Sequence, residues 1–442
     1  MDSNSIAPPS AYSVNLSGWL FKKGKLLRLW KKYYVQLHNS ELIIRRNEYE
    51  TKARHQYTVN KDTDIKLVKN GNHAEIQIKM KTNKIVCLSS KEEASLNKWF
   101  NALKSITYSS ALLSMDDFDV VSVIGRGHFG KVVLAKRKTT GDFCAIKSIK
   151  KKCLMDRAQL SLIVSERNTL TKISHPFVVN ILFAFQTWSK FYIGMEYVPG
   201  GDLIGLIRRV GKLSMNDVII YAGEVALALE FIHSKGIVYR DLKPENLVIN
   251  SDGHLKLADF GLSKDISESK LTNTFCGTSE YMAPEMLFKK FYDYSVDWWA
   301  FGVLVYEMIF EATPFHSELK DSTFSKIKYA DPTYPEGTDP NIISFINGFL
   351  EKDPHKRTKY SDVENHPFWQ GLTRDDILAK KRSPEFIPVM GKSISTEYFD
   401  SKFTEENPFE SVAEPMLDDN DIFFGFSYMG SESLEEESPS SS

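Results

Sequence analysis

Five short motifs, in one order between Gly125 and Glu285, constrain what this chain can fold into more than anything else in it. The first, Gly125-Arg126-Gly127-His128-Phe129-Gly130-Lys131-Val132, sits between two strand-like runs, DFDVVSVIG and KVVLAKRK. Glycines let a backbone approach phosphates closely and offer them N–H donors. Glycine-rich hairpins are common, and a dinucleotide-binding turn looks similar, but such a turn must open a helix. Here the second half enters a strand. Ala145-Ile146-Lys147 then closes another strand-like run, and Glu166 follows nineteen residues later in the amphipathic stretch LSLIVSERNTL. A lysine so placed neutralises nucleotide phosphates, provided a carboxylate holds it. The stretch Tyr239-Arg240-Asp241-Leu242-Lys243-Pro244-Glu245-Asn246 puts several roles in one loop. Asp241 can orient a hydroxyl and accept its proton, Lys243 can balance phosphoryl charge, and Asn246 can bind a metal. Asp259-Phe260-Gly261 supplies a second metal ligand, and Ala283-Pro284-Glu285 closes the series, with Arg357 as the expected buried partner of Glu285. Phosphoryl transfer asks for positioning and charge neutralisation more than covalent chemistry, and two metal-holding side chains plus a phosphate-holding lysine meet that need.

Around these motifs the pattern changes along the chain. Residues 1–12 read as a flexible tail. From 13 to 107 come short alternating runs (GWLFKKG, KKYYVQL, ELIIRR, AEIQIKM, KIVCLSS), then an amphipathic helix with Leu96, Trp99, Phe100 and Leu103 at helical spacing. After a linker over 108–117, residues 118–369 open with strands and turn helical. The run DWWAFGVLVYEMIF is apolar nearly all round and reads as a buried helix. Residues 370–442 are irregular. The net charge of −1 conceals a polarised chain: residues 13–107 hold 19 Lys/Arg against 8 Asp/Glu, whereas from Thr396 onward one lysine faces 13 acids. A basic front end predicts an anionic partner such as a membrane surface. Nucleic acid is not expected, because no recognised binding motif is present. No apolar run reaches 18 residues and MDSNSIAPPS lacks the marks of a secretory leader. The four cysteines, Cys87, Cys144, Cys153 and Cys276, lack disulfide-framework or zinc spacing, so the expectation is a cytoplasmic protein with reduced thiols.

Residues 118–369 resemble a eukaryotic protein kinase domain on all five motifs. Lys243 and Thr278 match its serine/threonine class. The segment 274–281, the helix start Asp297-Trp298-Trp299-Ala300 and Phe423-Phe424-Gly425-Phe426-Ser427-Tyr428 are similar to the AGC kinases, the last matching their hydrophobic motif. The resemblance implies ATP and Mg²⁺ as cofactors, with a nucleotide site made by Ile124, the glycine-rich residues 125–132, Ala145, Lys147, Met195 and Asp202. Protein substrates and upstream activating kinases are the implied partners. Thr274 and Ser427 are implied phosphosites, the first beside Arg240 and Lys264 and the second near Gln186. Ser411 stands at a third such position without the usual proline context. Asp202, Glu245 and Glu307 match the acidic positions that read arginines upstream of the target, giving an Arg-x-Arg-x-x-Ser/Thr preference. Leu162 replaces a histidine that relatives turn toward the activation phosphate, and Ser279 replaces a proline.

Residues 13–107 resemble a pleckstrin homology domain, on GWL in the first strand and Trp99 in the closing helix. The expected architecture is thus multidomain α+β: a PH-like β-barrel with a C-terminal helix, a bilobal kinase fold, and an AGC tail. This order resembles the protein kinase B family, which implies recruitment to the plasma membrane by phosphoinositides. Lys22 and Lys31 match residues that grip inositol phosphates, but Tyr33 stands where an arginine belongs. Lys23, Lys25, Arg28 and Lys32 complete the expected basic face. A basic protein-docking or autoinhibitory domain is the other reading of this region. For the whole chain, the competing reading is a signalling adaptor that acts by binding partners.

Overall fold

The structure, a computed structural model, describes residues 15–24, 29–38, 40–50, 52–60, 63–70, 73–82, 84–108, 113–127, 130–151, 157–187, 189–267, 271–274, 276–389, 396–408, 426 and 428–429. Lys25, Arg28, His128, Phe129, Ser411 and Ser427 lie outside these residues, as does Phe423.

The front domain is a seven-stranded antiparallel sheet: β1 (Asn15–Lys23), β2 (Trp30–His38), β3 (Glu41–Arg45), β4 (His55–Thr58), β5 (Asp64–Asn70), β6 (His73–Lys79) and β7 (Ile85–Ser89), in the order β4-β3-β2-β1-β7-β6-β5. Alternation drives it. Leu20, Val35, Leu42, Ile44, Ile65, Ile76, Ile78 and Leu88 all point into one core, which helix α1 (Glu93–Tyr108) closes with Leu96, Trp99, Phe100 and Leu103. Every strand feeds this common interior, so the sheet wraps around it as a barrel does. Strands β4 and β5 were absent from the sequence expectation because β4 buries only Tyr57 and β5 fully buries only Ile65.

A second sheet, of order β17-β11-β12-β10-β9-β8, forms the upper lobe of the catalytic region. Its strands are β8 (Phe118–Arg126), β9 (Gly130–Arg137), β10 (Phe143–Lys150), β11 (Ile181–Gln186), β12 (Lys190–Glu196) and, from the tail, β17 (Tyr428–Met429); helix α2 (Arg157–Thr171) packs beside it. The lower lobe is helical, built from α3 (Leu203–Val210), α4 (Met215–Ser234), α5 (Pro284–Leu287), α6 (Ser295–Phe310), α7 (Lys320–Tyr329), α8 (Pro340–Phe349), α9 (Tyr360–Val363) and α10 (Arg374–Leu378). Helices α4 and α6 are apolar on nearly every face and sit in the middle of its core. Two small two-stranded sheets, β13 (Ile237–Val238) with β16 (Lys264–Asp265) and the hairpin β14 (Leu247–Ile249) with β15 (Leu255–Leu257), flank the loop 239–246. In the tail, α11 (Ser401–Thr404) contacts the upper lobe through Phe403. Among the described residues no helix is long and apolar enough to cross a membrane.

Candidate active site

Strand β10 delivers Lys147 into the cleft between the lobes, and helix α2 brings Glu166 to it. Lys147 Nζ lies 2.6 Å from Glu166 Oε1 and 2.8 Å from Asp259 Oδ1, and Lys147 and Glu166 are both buried. Burial works against the ammonium charge, but Asp259 and Glu166 outweigh it and hold the Lys147 pKa above its ordinary value. Burial also pushes the Asp259 carboxyl up, and Lys147 more than reverses this, leaving it below the usual carboxylate range. Asp259 adopts a left-handed backbone (φ 50°), in which Oδ1 also accepts the Gly261 N–H at 3.2 Å. That turn aims the carboxylate into the cleft.

Opposite this cluster, Asp241 accepts Lys243 Nζ at 2.9 and 3.1 Å and Asn246 Nδ2 at 2.8 Å, and Thr278 Oγ1 lies 3.3 Å from Oδ1. Lys243 also reaches Thr278 Oγ1 at 3.1 Å. Asp297, buried in the first turn of α6, fixes the shape of this loop. Its Oδ2 accepts the Tyr239 N–H at 2.8 Å and meets His233 Nε2 at 2.7 Å, while Oδ1 accepts the Arg240 N–H at 2.8 Å. Arg240 can then hold φ 68°, a costly conformation for a residue with a Cβ. Sequence reasoning used Asp297 only as part of a helix-start pattern; its distance in sequence from the loop gives no local signal of this role. Glu285 and Arg357 form the buried bidentate pair expected of them, at 2.6 and 2.9 Å.

The glycine-rich hairpin lies over Lys147. A Cβ on Gly127 would come within 2.9 Å of Lys147 Cε, and one on Gly130 within 2.2 Å of the Ser148 carbonyl, so neither position admits a side chain without a shift. Gly125 is the register partner of Val132, and Ala145 that of Met195; Ile124 is half-buried in β8 beside Gly125. The side chains of two residues in the expected nucleotide site also reach the tail. Arg126 makes a two-pronged contact with Glu406 at 2.8 and 3.0 Å, and Lys131 donates to the Asn407 carbonyl.

The activation segment and tail converge on the same machinery. Thr274 is exposed, its carbonyl accepts the Tyr292 hydroxyl at 2.6 Å, and its Oγ1 lies 3.4 Å from Thr272 Oγ1. Lys264 donates to that Thr272 oxygen, and Arg240 reaches Tyr292 Oη at 3.4 Å, so both cations stand one contact away from Thr274. Phe426 is buried, its ring 4.6 Å from Phe191 and 5.6 Å from the Arg167 guanidinium, next to Glu166 on α2. Tyr428 and Met429 pair with Ala184 and Phe183, adding a strand that the sequence did not announce. Gln186 accepts Lys151 Nζ at 2.9 Å.

Three carboxylates sit on the lower-lobe side. Asp202 caps α3 by accepting the Gly205 N–H at 2.8 Å, so one of its oxygens is already engaged. Burial raises its pKa, and the charge of Glu245 raises it further. Burial likewise raises Glu307, against the Tyr281 hydroxyl bonded to it, with Glu245 again adding to the rise. In the front domain the expected single basic face divides. Lys22 and Lys31 are register partners on the side of Leu20, while Lys23 and Lys32 alternate to the other side, where Lys23 pairs with Glu75 at 2.9 Å. Tyr33 packs partly against the core.

Residues 118–369, more than half of the chain, match the protein kinase domain family. The chain belongs to the protein kinase family. Residues 14–108 of the kinase match the PH domain. A RAC family serine/threonine-protein kinase homolog of Dictyostelium discoideum is 34% identical over 428 residues, covering 91% of this kinase and 94% of that protein. Protein kinase C-like 2 of Schizosaccharomyces pombe is 38% identical over 348 residues, and serine/threonine-protein kinase YPK1 of Saccharomyces cerevisiae 36% over 328. The kinase spans 34% and 48% of the length of these two. It is thus an AGC-type serine/threonine kinase with a PH domain, a class that uses ATP and a divalent metal.

Replacing Asp297 with alanine would strand two buried N–H groups. A stability loss of about 2–4 kcal/mol is expected by urea unfolding, with phosphotransfer falling at least as steeply as that for a conservative change in the loop itself. Unchanged stability would remove Asp297 as the clamp of the loop.

Proposed function

We propose that this kinase moves the γ-phosphoryl group of Mg·ATP to serine or threonine in proteins that carry arginines upstream of the target. The observation that carries this reading is the facing pair of clusters: Asp241 with Lys243 and Asn246 on one side, Asp259 with Lys147 and Glu166 on the other. Lys147, kept charged by its two carboxylates, holds nucleotide phosphate. Asp259 and the Asn246 side-chain oxygen would hold Mg²⁺. The donor set fits: no cluster of three metal-binding acids, histidines or cysteines occurs among the described residues, and a hard cation of this size takes one or two side-chain oxygens with phosphate oxygens completing the shell. The metal supplies neutralisation of charge building on the phosphates. Asp241 orients the substrate hydroxyl and accepts its proton, and Lys243 balances charge between that carboxylate and the incoming group. Asp202, Glu245 and Glu307 favour arginine side chains in an Arg-x-Arg-x-x-Ser/Thr sequence, the capping bond on Asp202 leaving it one free oxygen for this.

Activation follows from charge and packing. Phosphate on Thr274 adds nearly two negative charges beside Lys264 and Arg240 and orders the segment. The seat of Phe426 beside Arg167 presses α2, and with it Glu166, toward Lys147; phosphate on Ser427 would strengthen that seat. Upstream kinases supply both groups. Ser411 is the weakest of the three sites. At the front, the surplus of lysine and arginine draws the PH domain to an anionic leaflet, at roughly 1 kcal/mol per basic residue near the surface, with Lys22 and Lys31 nearest an inositol phosphate and the plasma membrane as the destination.

Two experiments test these readings. Wild type should label an Arg-x-Arg-x-x-Ser peptide from radioactive ATP, and Asp241→Asn should label it at least 100-fold more slowly; equal rates would favour an adaptor. In liposome flotation, binding should require anionic lipid, rise with phosphoinositide, and fall severalfold in Lys22→Glu. Binding blind to lipid charge would leave the basic protein-docking reading standing.

A further inference from the structure

The lower lobe carries an exposed aromatic and basic face that the chemistry above does not use. Beyond the end of α5 the chain turns outward through Phe288, Lys289, Lys290 and Phe291. Lys289 is held at φ 55°, an uncommon conformation for a side chain of its size, and the rings on either side are left in solvent. Phe288 is 43% exposed and Phe291 66%; Tyr329, at the end of α7, is 74% exposed. These are not scattered. The Phe288 and Tyr329 rings meet edge to face at 6.1 Å, and the Lys290 and Lys328 ammonium groups stand 5.5 and 5.3 Å from the Phe288 ring. Asp293, two residues past Phe291, accepts the Ser295 N–H at 2.9 Å. Clustered large rings framed by one sign of charge mark an interaction face rather than ordinary surface.

This face is continuous with the segment over Asp241. Thr272 and Tyr292 exchange both backbone hydrogen bonds, at 2.9 and 2.8 Å, and Tyr292 Oη donates to the Thr274 carbonyl. Phe291 is therefore the residue adjoining that bridge. Tyr281, bonded to Glu307, lies in the turn 279–281 that packs on α7, the helix that carries Lys328 and Tyr329.

We propose that Phe288, Lys289, Lys290, Phe291, Lys328 and Tyr329 form a second docking surface for protein substrates, taking a segment in which acidic residues alternate with large apolar ones. Resting on the kinase reading, it makes recognition bipartite: arginines beside the target serine or threonine, and an acidic-apolar segment farther along the chain. Lysines repel the arginine-rich stretch from this face, so the two halves of a substrate cannot exchange places.

The test uses the full-length kinase and three peptides. The first is a short Arg-x-Arg-x-x-Ser peptide; the others add, through a Gly-Ser spacer on one side or the other, a segment of Asp, Glu and Phe. At least one extended peptide should have a KM about five- to tenfold lower than the short one. The doubly substituted Lys289→Glu/Lys290→Glu, and separately Phe291→Ala, should erase that gain and leave the short-peptide KM and kcat unchanged. Raising salt should erode the gain in wild type. No benefit from either extension, or a benefit untouched by the substitutions, overturns the proposal. So does loss of binding to phosphatidylserine vesicles in these variants without a change in KM, which would make the face a membrane contact. Failure to label even the short peptide would sink the kinase reading itself.

Discussion

The ammonium group of Lys147 is the point on which the rest of this structure depends. It joins a strand of the upper lobe, a helix beside that strand, and the loop that follows β15, through two charged contacts shorter than 3 Å. Lys147 and Glu166 are buried, and each is tolerated there because the other is present. The second oxygen of Glu166 is buried without a hydrogen-bond partner among the described residues. Phe426 is seated against Phe191 and against Arg167, the neighbour of Glu166 in α2. A tail residue far away in sequence thus packs on the residue next to the carboxylate partner of Lys147.

The lower lobe answers this with rigidity. Asp297 locks the backbone of residues 239–240, and Asn246 Nδ2 donates to the Asp241 carbonyl at 2.8 Å, so Asp241 projects from a loop held at both margins. The carboxylate proposed to accept a proton is thus held by bonds from within its own loop. Arg126 and Lys131, tied to Glu406 and Asn407, add a strap from the tail to that hairpin.

How much of this was legible in the sequence follows from chemistry and distance. Phosphate handling dictates residue types, so Lys147, Asp241, Asn246 and Asp259 could be singled out from their motifs, and the Glu285–Arg357 pair could be anticipated. Supporting contacts carry no such signature. Arg126 and Glu406 lie 280 positions apart, and an arginine inside a glycine-rich motif invites a nucleotide assignment before a tail contact. The front domain shows a different limit. Its amphipathic closing helix and five of its strands were readable, but short strands with one buried residue were not. Its lysines were counted as one face, although a period of two sends Lys22 and Lys23 to opposite sides.

We propose Asp259, kept ionised by Lys147, as a metal ligand whose partner is bound nucleotide. Calorimetry of ATP binding with and without Mg²⁺, in wild type and in Asp259→Asn, addresses it directly. Magnesium should tighten nucleotide binding in wild type and have little effect in the variant, while metal-free binding stays similar in both. Equal magnesium dependence in the two proteins would contradict it.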